Sequence, residues 1–87
     1  MENFKAIALI LIHKKGMQVH DYYIVGNEIC ISKPRYPLLS LEIDHPEVLK
    51  AGINYLQENG VPSFSSWDEY SEMDGENVIS NYRKNAS

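Results

Sequence analysis

Seven consecutive apolar residues, Ala6 to Ile12, make the strictest demand in this sequence. Ile7, Leu9 and Leu11 alternate with Ala6, Ala8, Ile10 and Ile12, so a strand built from them is apolar on both faces, as a central strand is. A helix is the competing reading, because Asn3 can cap its start and Gly16 its end. The β-branched isoleucines and the short length favour strand. The run falls far below the roughly 18 apolar residues of a membrane span. Lys5 before it imitates the charge-then-apolar order of a signal peptide, but His13, Lys14 and Lys15 follow where a small cleavage-site residue would stand. The run is therefore read as part of the fold. The expected location is a reducing cytoplasm, that of the host cell if the protein is viral, and a lone Cys30 agrees with it.

More strand signals follow. Val19 to Val25 is rich in β-branched and aromatic residues, and Gly26-Asn27 is a two-residue hairpin signal of the II′ kind. Glu28 to Lys33 alternates, with Ile29 and Ile31 on one face and Cys30 on the other. Pro34 and Pro37 bracket a stiff connector holding Arg35 and Tyr36. Leu39, Leu41 and Ile43 alternate with Ser40, Glu42 and Asp44, the pattern of a half-buried strand.

The second half reads as helix. Asp44 or His45 stands before Pro46, which suits a first helical position, and Glu47 suits the positive end of the helix dipole. Leu49, Ile53 and Leu56 form one apolar stripe, and Asn59-Gly60 with Pro62 ends the helix. Ser63 to Ser66 reads as a loop around Phe64. Ser66 with Glu69 three residues on is a capping-box pattern opening a helix through Met73, with Trp67 and Tyr70 on its inner side. Gly75 interrupts it, and Val78, Ile79 and Tyr82 predict one or two further turns. The class is α+β: one domain over 1–87, strand-rich over 4–43 and helical over 45–83. A small antiparallel sheet of three to four strands, in the sequence order ββββαα, carries two C-terminal helices on one face. The other face would then meet water although the first strand is apolar on both sides. Leaving Ile10 and Ile12 exposed would forgo roughly 1.5–3 kcal/mol per side chain. Ile10, Ile12, Tyr22 and Tyr23 are thus candidates for an assembly face covered by a partner or, in a homodimer, by a second copy. Tyr22 and Tyr23 are adjacent, so at most one of them is fully inward.

Residues 1–50 hold equal numbers of acidic and basic side chains, so the net charge of −4 sits entirely on residues 51–87. That balance, with a pI near 5.2, argues against phosphate-backbone binding as the main task. A single cysteine excludes an internal disulfide and a Cys-rich zinc site. There is no phosphate loop, no nucleophile elbow and no paired-histidine helix motif, so no cofactor and no metal are expected. His13, His20 and His45 have no ligand spacing. His20 and Asp21, adjacent in a strand, would point to opposite faces and form no acid–base pair. Cys30 is read as a passive thiol, buried or half-buried.

Asp68, Glu69, Glu72, Asp74 and Glu76 crowd nine residues, with Glu58 upstream and no basic residue between Glu58 and Arg83. As a calcium loop the run fails, because Gly75 at the sixth position puts Tyr70 at the first and Asn81 at the twelfth. It reads either as a solvated helix face or as a docking surface for a basic protein partner. Tyr55, Trp67 and Tyr70 are interleaved as anchors, although Trp67 is also expected to help fill the core. The profile of small size, acidity and few motifs is similar to that of phage and mobile-element proteins that block host defence enzymes, and of toxin-immunity proteins. The function expected is non-enzymatic: an acidic inhibitor that occupies a basic, nucleic-acid-binding surface of a target enzyme. An accessory subunit assembling through an apolar sheet face is the alternative, and a small metal-binding domain or enzyme using the histidines and Cys30 is the second alternative.

Overall fold

The computed structural model describes residues 3–32 and 40–86. The class is α+β, but a helix comes first. Helix α1 spans Phe4–Ile12 and two 3-10 turns follow, at Lys14–Gly16 and Val19–Asp21. Strands β1 (Tyr22–Val25) and β2 (Glu28–Ile31) form a hairpin, and β3 (Ser40–Leu41) pairs with β2. Then come α2 (Pro46–Glu58), β4 (Ser63–Phe64), α3 (Trp67–Glu72) and α4 (Gly75–Ala86). The sheet order is β3-β2-β1-β4, and β4 lies parallel to β1, so the sheet is mixed rather than antiparallel.

The apolar run is helical, against the strand expectation. Asn3 Oδ1 accepts the Ala6 N–H at 3.0 Å, and alanine and leucine are better helix formers than isoleucine. Tertiary packing supports the same outcome. Ala8 and Ile12 of α1 are buried against α2 at Gly52, where a Cβ would stand 3.5 Å from the Ala8 Cβ and 3.3 Å from Ile29 Cδ1. Two small residues face each other there, which lets the helices approach closely. Val19 to Asp21, expected as strand, turns instead, because the Asp21 carboxylate accepts the Gln18 N–H at 2.8 Å.

The hairpin turn is as expected, with Gly26 at φ 62 and Asn27 at negative φ. Helix α2 keeps its expected limits. Pro46 follows the cap residue His45, and Gly60 at φ 80 closes the other end with Gly60 N–H donating to Gln57 O and Val61 N–H to Leu56 O. Its inward stripe is Val48, Gly52 and Leu56, with Leu49 and Ile53 only partly buried. The Ser63–Ser66 loop contains β4, whose Phe64 O accepts the Gly26 N–H at 2.7 Å. Of the expected fourth strand, Ser40 and Leu41 pair with β2; Leu39 and the Pro34–Pro37 connector lie outside the described residues.

Helices cover both faces of the sheet, not one. On one side Tyr22, Ile24 and Ile29 meet Ile12 of α1 and Leu56 of α2. On the other, Val25, Cys30 and Phe64 meet Ile79 of α4, with Tyr23 and Tyr70 at the margin. Strand periodicity sends Tyr22 and Tyr23 to opposite sides; Tyr22 is buried and donates its hydroxyl to Ile12 O at 2.5 Å. Helix α4 is longer than expected, and Arg83 fastens it to the hairpin. Its Nη1 donates to Ser32 O at 2.9 Å while Nη2 lies 4.0 Å from the buried Asp21 carboxylate. Among the described residues no helix is long and apolar enough to cross a membrane.

Candidate protein-docking surface

Helix α3 is a short platform with a fixed start. Ser66 Oγ accepts the Glu69 N–H at 3.2 Å, and the Glu69 carboxylate accepts the N–H of Ser65. Hydrogen bonding from the Ser65 side chain, and then from its backbone N–H, holds the Glu69 carboxyl below the ordinary carboxylate value. A helix of six residues offers few inward positions, and Tyr70 takes one. Its ring fills the space that a side chain on the buried Gly75 would need. Phe64 meets it edge-on at 5.2 Å and Tyr23 stacks on it at 5.8 Å.

Trp67 was expected in the core and is instead 50% exposed. With Tyr70 seated below it, the indole overhangs the cluster, 5.2 Å from the Tyr70 ring and 6.4 Å from that of Tyr23, nearly perpendicular to the latter. Met73, the residue that ends α3, is half exposed as well. Asp68, Glu72, Asp74 and Glu76 are exposed around these groups. Among the described residues none of the five carboxylates of the run enters an ion pair. The outcome is a packed aromatic group standing among carboxylates that have no ion-pair partner among the described residues.

Below it the chemistry is quiet. Burial, then the Cys30 neighbour, pushes the Tyr23 phenol up to about 12; burial, then Glu28, pushes the Cys30 thiol up to about 11. A thiol kept protonated at neutral pH is a poor nucleophile. Burial also raises Tyr70, with Glu76 adding to it.

The remaining predicted residues fall elsewhere. Tyr55 and Glu58 lie on α2 beside α1, with Lys5 Nζ 4.0 Å from Glu58 and 6.0 Å from the Tyr55 ring centroid. The sheet separates them from the α3 cluster. The four residues of the expected assembly face do not share one face: Ile12 and Tyr22 are core, Tyr23 is a wall of the aromatic cluster, and only Ile10 is fully outward. Strand periodicity would have aligned Ile10 with Ile12, and the helix parts them, while the strand that does form sends Tyr22 and Tyr23 to opposite sides. His13 joins Met17 O and Tyr55, and His45 caps α2. His20 and Asp21 are not on opposite faces: the 3-10 turn brings Nε2 to 3.9 Å from the carboxylate. No three metal-ligating side chains converge among the described residues. A shallow groove of about 440 Å³ beside α2 is lined by Asn27, Pro46, Leu49, Lys50, Ile53 and Asn54, with no acid–base pair in it.

Sequence reasoning missed the part Tyr23 and Gly75 play in this surface. The strand alternation of Tyr22 and Tyr23 could have signalled the first; nothing local signals the second. Comparison of the chain with protein-family models, with curated proteins and with solved structures finds no match.

Proposed function

We propose that this chain is a protein-binding module, not an enzyme, and that it docks a basic partner on the surface formed by Trp67, Tyr70, Met73 and the carboxylates of residues 68–76. The observation that carries the reading is the half-exposed Trp67, held by two tyrosines in a field of carboxylates that have no ion-pair partner among the described residues. An exposed tryptophan is costly in water and is the side chain most often found as an interface anchor. The surrounding charge supplies steering and selects a partner of opposite sign. In its most concrete form the partner is a nucleic-acid-handling enzyme, and the acidic surface occupies the place of the phosphate backbone. Binding then competes with nucleic acid and weakens with salt. The test is affinity capture at low salt and at about 0.5 M salt, comparing the natural chain with Trp67→Ala and Glu72→Lys. A basic partner retained by the natural chain, released by salt and lost by both variants supports the reading. Equal capture by all three chains refutes it.

A further inference from the structure

The exposed large hydrophobic side chains among the described residues form two pairs, Ile7 with Ile10 on α1, and Trp67 on α3 with Met73 at its end. Ile10 is the most exposed of them, at 71%. The sheet stands between the pairs, since α1 packs on its Tyr22–Ile24 side and α3 on its Val25–Phe64 side, so neither can cover the other within one chain. Their charges are opposite. Residues 3–16 carry three lysines and no carboxylate, and residues 67–76 carry five carboxylates and no cation. Lys14 is exposed four residues beyond Ile10, while Lys5 leans on Glu58.

We infer that the Ile7–Ile10 face of α1 on one copy docks on the Trp67–Met73 surface of another, so that a second copy of this chain is itself a ligand of the acidic surface. The inference rests on the reading of that surface as a docking site. The mode of contact follows from sign. Two α1 faces brought together would oppose lysine to lysine, and two α3 surfaces would oppose carboxylate to carboxylate; α1 against α3 opposes lysine to carboxylate around an apolar centre. Such a contact joins patches on opposite sides of the sheet, which one pair of copies cannot engage reciprocally, so it does not close at a dimer and continues from copy to copy. It also sets self-association against partner binding, because both use Trp67.

The test is sedimentation velocity on the full chain at low salt, from about 10 μM to about 1 mM, which spans dissociation constants in the micromolar to millimolar range. The natural chain is expected to exceed its 10.0 kDa monomer mass progressively, without a fixed end point, and to return to it at about 0.5 M salt. Ile10→Glu and Trp67→Ser are each expected to stay monomeric, and an equimolar mixture to form a one-to-one complex, because each variant keeps the half that the other has lost. Circular dichroism melts check that both fold; Glu72→Lys replaces Trp67→Ser if that variant does not. A natural chain that stays monomeric at every concentration overturns the inference. So does a mixture that stays monomeric, or a folded single variant that still associates. Capture of a basic partner by a chain that never self-associates overturns this inference and leaves the docking reading standing; loss of both removes both.

Discussion

The Tyr70 ring and the Gly75 backbone occupy one space: a Cβ on Gly75 would come within 2.7 Å of Tyr70 Cγ and closer still to Cδ2 and Cε2. This seat fixes the tyrosine that carries Trp67 and receives Tyr23 and Phe64. Gly75→Ala is therefore expected to displace the ring and cost about 1–3 kcal/mol, as overpacking does. Urea unfolding measures it. The same variant is expected to weaken partner capture although residue 75 is buried, because the indole loses its support.

Trp67→Ala separates anchor from core. A fully buried tryptophan costs about 3–5 kcal/mol on truncation, and this half-exposed one is expected to cost less than about 2 kcal/mol. Leu56→Ala, by contrast, opens the α1–α2 core and is expected to cost about 2–5 kcal/mol. Partner affinity is expected to reverse the order, falling at least about tenfold for Trp67→Ala and little for a folded Leu56→Ala. Paired thermal melts and titrations of the two variants read both effects.

Glu69 and Glu72 differ although both are acidic. Glu72 makes no capping bond, so Glu72→Lys is expected to change stability by less than about 0.5 kcal/mol and to slow association with a basic partner. Glu69 accepts from Ser65, which lowers its folded pKa below the ordinary 4.5. Its contribution to stability is complete above that value and is lost as pH falls through the lower folded one. The stability gap between the natural chain and Glu69→Gln should thus be constant at neutral pH and shrink below about pH 4.5. A gap that does not narrow in acid would show that the carboxylate has no stabilising bond.

Alkali tests the inner layer. The Cys30 thiol rises from 9.0 to about 11, and the Tyr22 and Tyr23 phenols from 10.0 to about 12, burial being the first cause in each. The unfolded chain releases these protons first, so the folded state binds more of them and stability falls as pH rises, from 9 for the thiol and from 10 for the phenols. Cys30→Ala is expected to move the onset of that fall from near pH 9 to near pH 10 in urea unfolding. An unchanged onset would mean that the native thiol is not protected.

What the sequence made legible was local chemistry. Pro46 and Asn59-Gly60 marked both ends of α2, Gly26-Asn27 marked the hairpin, and Ser66 with Glu69 marked the start of α3, each through contacts made within a few residues. The run from Ala6 to Ile12 was not legible, because residues apolar in every direction satisfy the periods of strand and helix equally. The Asn3 cap and the approach of Ala8 to Gly52 favour helix, and the second of these spans the chain. Which face of the sheet α3 and α4 would cover was not legible either. β4 is two residues long and gains its identity from pairing with β1, and α3 follows directly from it. For the candidate site, the acids and Trp67 were found, but the exposure of Trp67 depends on Tyr70 having taken the seat at Gly75.

The parallel pairing of β4 with β1 also sets an order of assembly. Tyr22 to Val25 leave the ribosome some 40 residues before Ser63 and Phe64 arrive to bond them. Until then the hairpin has a bare edge at β1, and the Val25–Cys30 side of the sheet lacks Phe64 and Ile79. A nascent chain stalled before Ser63 would expose unpaired backbone N–H and C=O groups beside an uncovered apolar surface, a template for pairing with its neighbours on the same message.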